Sequence, residues 1–332
     1  GTHLYMGDLN KSLVMAAKLE GNITAQGKEG TILTNFTDGC AAKDVILWLD
    51  RSMIPQESLI QSEEGNSIAF QQVLQDIYDI NTFSTDTNST LEKDNFSNTT
   101  DNNGSAEVDL YFNFEKPYAQ LVNPIDVNFS ILNAVSPNAV SNANMVSDYV
   151  PDGNTTIDQQ RYFYFAKVSP PDGIDGAQTY ETLVSTILKV NTFCKDDINI
   201  TCALLPGLPT SPEDVFPGGG WYRMENHFSS AGDGQVNTLS TTVMGVGISP
   251  SSNLTFDANG STSTIDITYP LTGRPVHPVL SVDPDEWLKY NPDISKNGLP
   301  EFTIHFLNQG LKWKGEGETG HVVDTEPSTR SS

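Results

Sequence analysis

The side chains in this sequence best suited to chemistry are carboxylates. Asp148, Asp152, Asn154 and Asp158 fall within eleven residues around Gly153. Asp172 and Asp175 enclose a Gly-Ile step, and Asp283, Asp285 and Asp293 surround Trp287. Oxygen-rich loops containing glycine suit Ca²⁺, a hard cation that takes only oxygen ligands. Asp152, Asn154 and Asp158 form the first candidate calcium site. No cluster has EF-hand spacing, and solvated acidic loops are the alternative reading. Paired carboxylates also hydrolyse glycosides, but nothing sets one pair apart among the 42 acids.

The remaining groups offer less. His3, His227, His277, His305 and His321 are scattered, and none forms HxH or HExxH, so no zinc is expected. His305, inside Phe302-Thr-Ile-His-Phe306, reads as an ordinary strand residue. No GxSxG, Walker A or dinucleotide glycine pattern occurs. Pro217-Gly-Gly-Gly220 reads as a loop hinge, because a phosphate cradle needs a lysine and a following helix. The chain is therefore expected not to be an enzyme, and calcium is the one cofactor the residues suggest.

Cys194 and Cys202 stand eight apart. Two strand ends joined by a short turn bring cysteines within the roughly 5.5 Å Cα separation of a disulfide. The expectation is a bridge that staples a turn and adds about 2 kcal/mol, given an exported chain. Two free buried thiols are the alternative. Cys40 is left over and is expected to be buried. Three cysteines without a CxxC match no zinc pattern.

Charge narrows the partners. Lys plus Arg number 18 against 42 Asp plus Glu, a formal net charge of −24 over 332 residues. Neutralising phosphates requires clustered cations, so nucleic acid and anionic membrane surfaces are excluded as partners. No apolar run reaches the roughly 18 residues of a membrane-spanning helix. From Pro117 to Gln160 there is no Lys or Arg, and from Asp196 to Gly273 only Arg223. Such a composition is ordinary for extracellular or cell-surface proteins. Asn-x-Ser/Thr triplets run from Asn10 to Asn259, a frequency that chance explains in so Asn-, Ser- and Thr-rich a chain. The two ends read as cuts in a longer or processed polypeptide.

The elements that position these residues are predicted to be strands. Period-two alternation and β-branched or aromatic runs dominate, as in Val108-Asp-Leu-Tyr-Phe-Asn-Phe114. Strands are predicted over 13–25, 31–36, 43–49, 106–114, 127–132, 162–168, 182–193, 221–227, 238–248, 254–256, 263–269, 276–282 and 302–307. Phe70, Val73, Leu74 and Ile77 have helical spacing, and a bent strand is the alternative over 68–80. The predicted fold is all-β, two antiparallel Ig-like β-sandwich domains in tandem. The first spans 1–136 with a polar excursion at 85–105, a linker covers 137–157, and the second spans 158–332. Asn10–Leu19 is strand-compatible and available for donation to a second copy.

Several short motifs occur in a recognisable order. They are Arg161-Tyr-Phe-Tyr-Phe-Ala-Lys-Val168, the Cys194/Cys202 pair, Gly220-Trp-Tyr-Arg-Met-Glu-Asn-His227 and Asp233-Gly234. Arg274-Pro-Val-His-Pro278, Pro284-Asp-Glu-Trp-Leu-Lys-Tyr-Asn291 and Gly320-His-Val-Val-Asp-Thr325 follow. This order, with Cys40-Ala-Ala-Lys-Asp-Val45 and Phe112-Asn-Phe-Glu115, resembles modules of large multidomain surface proteins of marine bacteria. The resemblance covers about two thirds of the chain. It implies an exported adhesin-like or filament-associated protein and carries over no catalytic residue.

The expected function is a non-catalytic extracellular structural or adhesive protein, part of a surface appendage, filament or large surface polypeptide. Its partners would be copies of itself or neighbouring domains. The alternative is a carbohydrate-binding accessory region of a secreted enzyme, with Trp221, Trp287 and Trp313 available to stack on glycans.

Overall fold

From Tyr162 to Ala166 the sequence reads Tyr-Phe-Tyr-Phe-Ala, apolar at every position. A strand built from such a run has no face for water, so it must be covered on both sides. In the computed structural model this segment lies between two hydrophobic cores. Phe163 and Phe165 enter one, and Tyr164, Ala166 and Val168 the other. The structure describes residues 3–7, 15–27, 29–49, 61–76, 88–96, 104–128, 132–135, 143–145, 160–198, 200–216, 219–224 and 234–308.

The described residues contain strands and short 3₁₀ turns and no α-helix. In chain order the strands begin β1 (His3–Tyr5), β2 (Ala17–Thr24), β3 (Val45–Leu49), β4 (Phe70–Asp76), β5 (Asn88–Leu91), β6 (Ser105–Phe114) and β7 (Ile125–Asn128). Then come β8 (Leu132–Val135), β9 (Ala143–Met145), β10 (Gln160–Ser169), β11 (Ala177–Thr179), β12 (Leu183–Thr186), β13 (Lys189–Cys194) and β14 (Asp214–Phe216). The last are β15 (Gly219–Arg223), β16 (Gln235–Thr241), β17 (Gly247–Ser249), β18 (Ser252–Thr255), β19 (Ile265–Thr268), β20 (Val279–Pro284) and β21 (Glu301–Phe306).

The central sheet runs β1-β10-β13-β15-β14, with β7 also on β10. β1 pairs in parallel at Leu4↔Phe163 and β7 antiparallel at Ile125↔Phe163. Because both use Phe163, they occupy opposite edges of β10. Side chains alternate between the cores along each strand. Leu4, Phe193 and Trp221 join Phe163 and Phe165, while Tyr5, Val190, Cys194 and Tyr222 join Tyr164. The first core is completed by residues such as Ile23, Leu91, Phe96, Ala106 and Phe114. The second is completed by Leu239, Ile267, Leu280, Ile304 and others of the sheets β11-β21-β20-β16-β18 and β12-β19-β17. The remaining sheets are β2-β6-β4 and β5-β3-β8-β9. The protein is thus all-β with open sheets, an arrangement compatible with paired sandwich layers. The linker assigned to 137–157 lies outside the described residues except for β9, which pairs with β8. The calcium candidates Asp152, Asn154 and Asp158 also lie outside them.

Two buried polar side chains tie the layers together. Lys116 Nζ donates to the carbonyl of Ala166 in β10 and, at 2.5 Å, to that of Trp287. It also sits 4.5 Å from the centre of the Phe165 ring. Burial holds its pKa well below the usual lysine range, and the Glu286 carboxylate opposes that shift. Asn113 Nδ2 donates to the carbonyls of Tyr5 (3.1 Å) and Met15 (3.4 Å). Both ends of the N-terminal segment are thereby fixed in the chain's own core. The stretch expected to serve as a donor strand, Asn10–Leu19, is described from Met15 onward, where Met15 and Ala17 are buried.

Cys194 and Cys202 form a disulfide with Cα atoms 6.0 Å apart. It links the end of β13 to the turn Cys202–Leu204. The intervening loop is braced by Asp196 Oδ1, which accepts from the Cys202 N–H at 2.7 Å.

Some expectations need correction. Of the two readings left open over 68–80, the strand is the one found and the helical one falls: residues 70–76 form β4, because β6 has a second edge and β4 fills it from Phe70↔Phe114 to Asp76↔Val108. The polar excursion contributes to the sheets and the core: β5 pairs with β3, and Leu91 and Phe96 are fully buried anchors. Cys40 is exposed, not buried, because it lies in the turn following Thr37. Residues 31–36 form an isolated bridge at Ile32 and a turn rather than a strand, with Ile32 and Leu33 left exposed while Phe36 packs against Phe96 of the first core.

Lys116→Ala leaves two buried carbonyls without a donor and opens a void. It is expected to lower unfolding free energy by about 3 kcal/mol in urea titration; a loss below about 0.5 kcal/mol would show that the ammonium is dispensable. Mass spectrometry of an unreduced digest is expected to find the Cys194 and Cys202 peptides linked, and alkylation of both thiols without reductant would contradict the bridge.

Candidate functional site

Near the end of β10, Val168 is buried in the second core, while Lys167 and Ser169 on either side of it border a cleft of about 540 Å³. Lys167, Asn191, Trp221 and Tyr290 line it, and Asp172, Asp175, Asp214 and Glu301 surround them. Its position follows from strand alternation. Lys167 is two residues beyond Phe165 and shares its face, while Trp221 reaches the same face from β15.

Trp221 and Tyr290 line the floor, with Phe165 and Phe193 packed behind them. Tyr290 meets Phe165 edge to face at 5.5 Å and lies 5.5 Å from Trp221, which contacts Phe193 at 5.7 Å. The Lys167 ammonium rests 4.0 Å from the centre of the Trp221 ring. A cation over an indole face is attracted by the ring quadrupole. Lys167 makes no hydrogen bond or ion pair to another side chain among the described residues. Burial lowers its pKa to about 8, with partial compensation from the Asp214, Asp172 and Asp175 carboxylates. Beside it, Asn191 Nδ2 donates to Ser169 Oγ at 2.6 Å, while the buried Asn191 Oδ1 has no partner among the described residues. The cleft therefore offers ammonium donors, an amide and a carboxylate rim above an aromatic surface.

The acidic residues singled out from the sequence are brought to different places. Asp172 and Asp175 reach the cleft, and Asp175 Oδ1 accepts from the Thr303 N–H at 2.8 Å. Asp283 faces Lys289 at 3.6 Å. Asp285 accepts from the Gln235 N–H at 3.0 Å, and burial raises its pKa. Asp293 accepts from both the hydroxyl and the N–H of Ser295, which lower its pKa. Among the described residues no group of three or more His, Cys, Asp or Glu is placed to hold a metal. Trp287 stacks on Tyr5 at 4.4 Å and Trp221 is 4% exposed, so both anchor cores. Trp313 lies outside the described residues. His305 lies in β21, its ring against that of His277.

Sequence reasoning missed Lys167, Asn191 and Tyr290. One signal was available: Lys167 interrupts an apolar strand in a chain poor in lysine.

No protein-family model and no curated protein matches this chain. Among solved structures, a Porphyromonas gingivalis W83 protein of unknown function is 8% identical, aligns over 87% of this chain and 90% of its own, and has a TM-score of 0.22. A chain described as BspA_C_WT is also 8% identical, covering 91% of this chain and 99% of its own at a TM-score of 0.22. The C-terminal domain of the Streptococcus agalactiae AgI/II polypeptide BspA gives the same identity and coverage at 0.24. Likeness at this level carries no argument about fold or role.

In ¹³C NMR of the labelled lysine side chains, Lys167 is expected to titrate near pH 8. Its folded pKa lies below the unfolded value, so the unfolded chain binds the extra proton between about 8 and 10.5, and this group makes stability rise with pH across that window. A midpoint near 10.5 would show the ammonium to be solvated.

Proposed function

We propose that this chain is a non-catalytic structural or adhesive module of an extracellular surface polypeptide or appendage. A sheet edge with no further strand among the described residues supports this reading most directly. β14 ends the path of the central sheet, and Val215 at its middle is 73% exposed. An edge strand presents unpaired backbone groups to a further chain, and strand addition joins backbone hydrogen bonds to side-chain recognition. The partner is a second copy or a neighbouring domain of the same assembly. The disulfide supports an oxidising compartment. With a net charge of −24, copies approach only when charge is screened or kept to the rim. Light scattering is expected to show association that grows with salt and is lost in Val215→Lys without a change in thermal midpoint. A monomer at every concentration and salt level would overturn the assembly.

The cleft favours a second reading, a carbohydrate-binding region. The Lys167 ammonium suits hydroxyl oxygens, the carboxylate rim accepts from hydroxyl protons, and Tyr290 offers a partly exposed ring. On a glycan array this reading requires a defined saccharide whose binding is lost in Lys167→Met. An array without hits would remove it.

A further inference from the structure

The histidines that look scattered along the chain include one close pair. Val276 and Phe306 exchange both backbone hydrogen bonds, at 3.0 and 2.9 Å. In an antiparallel ladder the next residues inward form the narrow, non-hydrogen-bonded pair, whose side chains stand closest. Those residues are His277 and His305, and their Nδ1 atoms are 2.6 Å apart. The rings are tilted by 58° rather than stacked, with centroids 4.6 Å apart. On the other edge of β21, β11 runs parallel and places Gln178 in register with His305. Paired residues share a face of a sheet, so Gln178, His305 and His277 form one row on the outward side. Ile304 and Phe306, which alternate with His305, are fully buried on the inward side.

The backbone beneath this row is firmly held. Arg274 donates to the carbonyls of Pro270, Tyr180, Glu181 and Tyr269 at 2.7–3.0 Å, and to that of Leu307 at 3.3 Å. Its guanidinium lies 5.2 Å from the centre of the Phe306 ring. One buried side chain thus locks the segment before His277 to the segments flanking Gln178 and His305. His277 is further confined by Pro275 and Pro278.

We propose that His277 and His305 form a surface site for a divalent transition metal of the zinc class. Two imidazole nitrogens at 2.0–2.1 Å from a tetrahedral ion stand about 3.3 Å apart, so the rings need part by only about 0.7 Å. Gln178, in backbone register with His305, is the candidate oxygen donor, and water would fill the remaining position. In the metal-free pair one Nδ1–H donates to the lone pair of the other Nδ1. Zinc takes both lone pairs: a neutral donor ring binds as its other tautomer, with that proton carried on its own Nε2, and a doubly protonated ring releases the Nδ1 proton to solvent and keeps the one on Nε2. The chain's negative charge raises the local concentration of any cation.

Zinc titration by calorimetry is expected to give one site per chain that is absent in the His277→Ala/His305→Ala double variant. His277→Gln alone is expected to abolish it as well, and Gln178→Ala to weaken it. Both histidines face outward, so thermal midpoints of the metal-free variants are expected to match the parent. In ¹⁵N NMR of the imidazoles, His277 and His305 are expected to shift together at one equivalent of zinc. An isotherm unchanged in the double variant, or zinc shifts confined to other histidines, would overturn the site.

Discussion

Over Phe163–Ala166 β10 has no solvent face, and the rest of the structure is arranged around that constraint. A strand carrying Phe163 and Phe165 on one side and Tyr164, Ala166 and Val168 on the other needs two cores. Those cores come from chain segments far apart in sequence, so β1 and β7 must reach it from the amino-terminal part. Lys116 completes the connection. A buried ammonium is costly, and here two carbonyl acceptors and the Phe165 ring offset its lost hydration. The acceptors belong to β10 and to the turn carrying Trp287. One cation therefore fixes the distance between the first core, the central strand and the second core.

The chain has few cations and places several of them inside or in clefts. Lys116 bridges layers, Arg274 gathers five carbonyls, and Lys167 lies on Trp221. Exposed pairs such as Lys93–Asp38 contribute little, because water and salt screen them. The outer surface is correspondingly acidic, and cohesion rests on apolar burial and backbone pairing. This division also explains the shifted pKa of Lys167. Desolvation outweighs the attraction of carboxylates that stand at the rim without touching it.

Short-range information in the sequence carried much of this. The strand character of 106–114, 162–168 and 302–307 follows from alternation or apolar density and matches β6, β10 and β21 within two residues. The Cys194–Cys202 spacing suffices to suggest a stapled turn. What periodicity could not supply was partnership. Residues 70–76 carry an apolar stripe that fits a helix, and the free edge of β6 makes them a strand. Cys40 has the composition of a core residue and a turn exposes it. The cleft and the histidine row depend on register between segments from 22 to 128 residues apart, and no motif scan reads register.

β21 shows how one strand serves both candidate sites. Phe302, Ile304 and Phe306 fill the second core, so the outward positions Glu301, Thr303 and His305 are held without slack. Glu301 borders the cleft and His305 faces His277, about 13 Å apart for four strand residues. Between them, the Thr303 N–H is taken by Asp175, which also lines the cleft. Displacing β21 by a single residue would exchange inward and outward sets, burying Glu301 and His305 and exposing three core side chains. The register that closes the core is therefore the same register that assembles the surface row, and neither can change without the other.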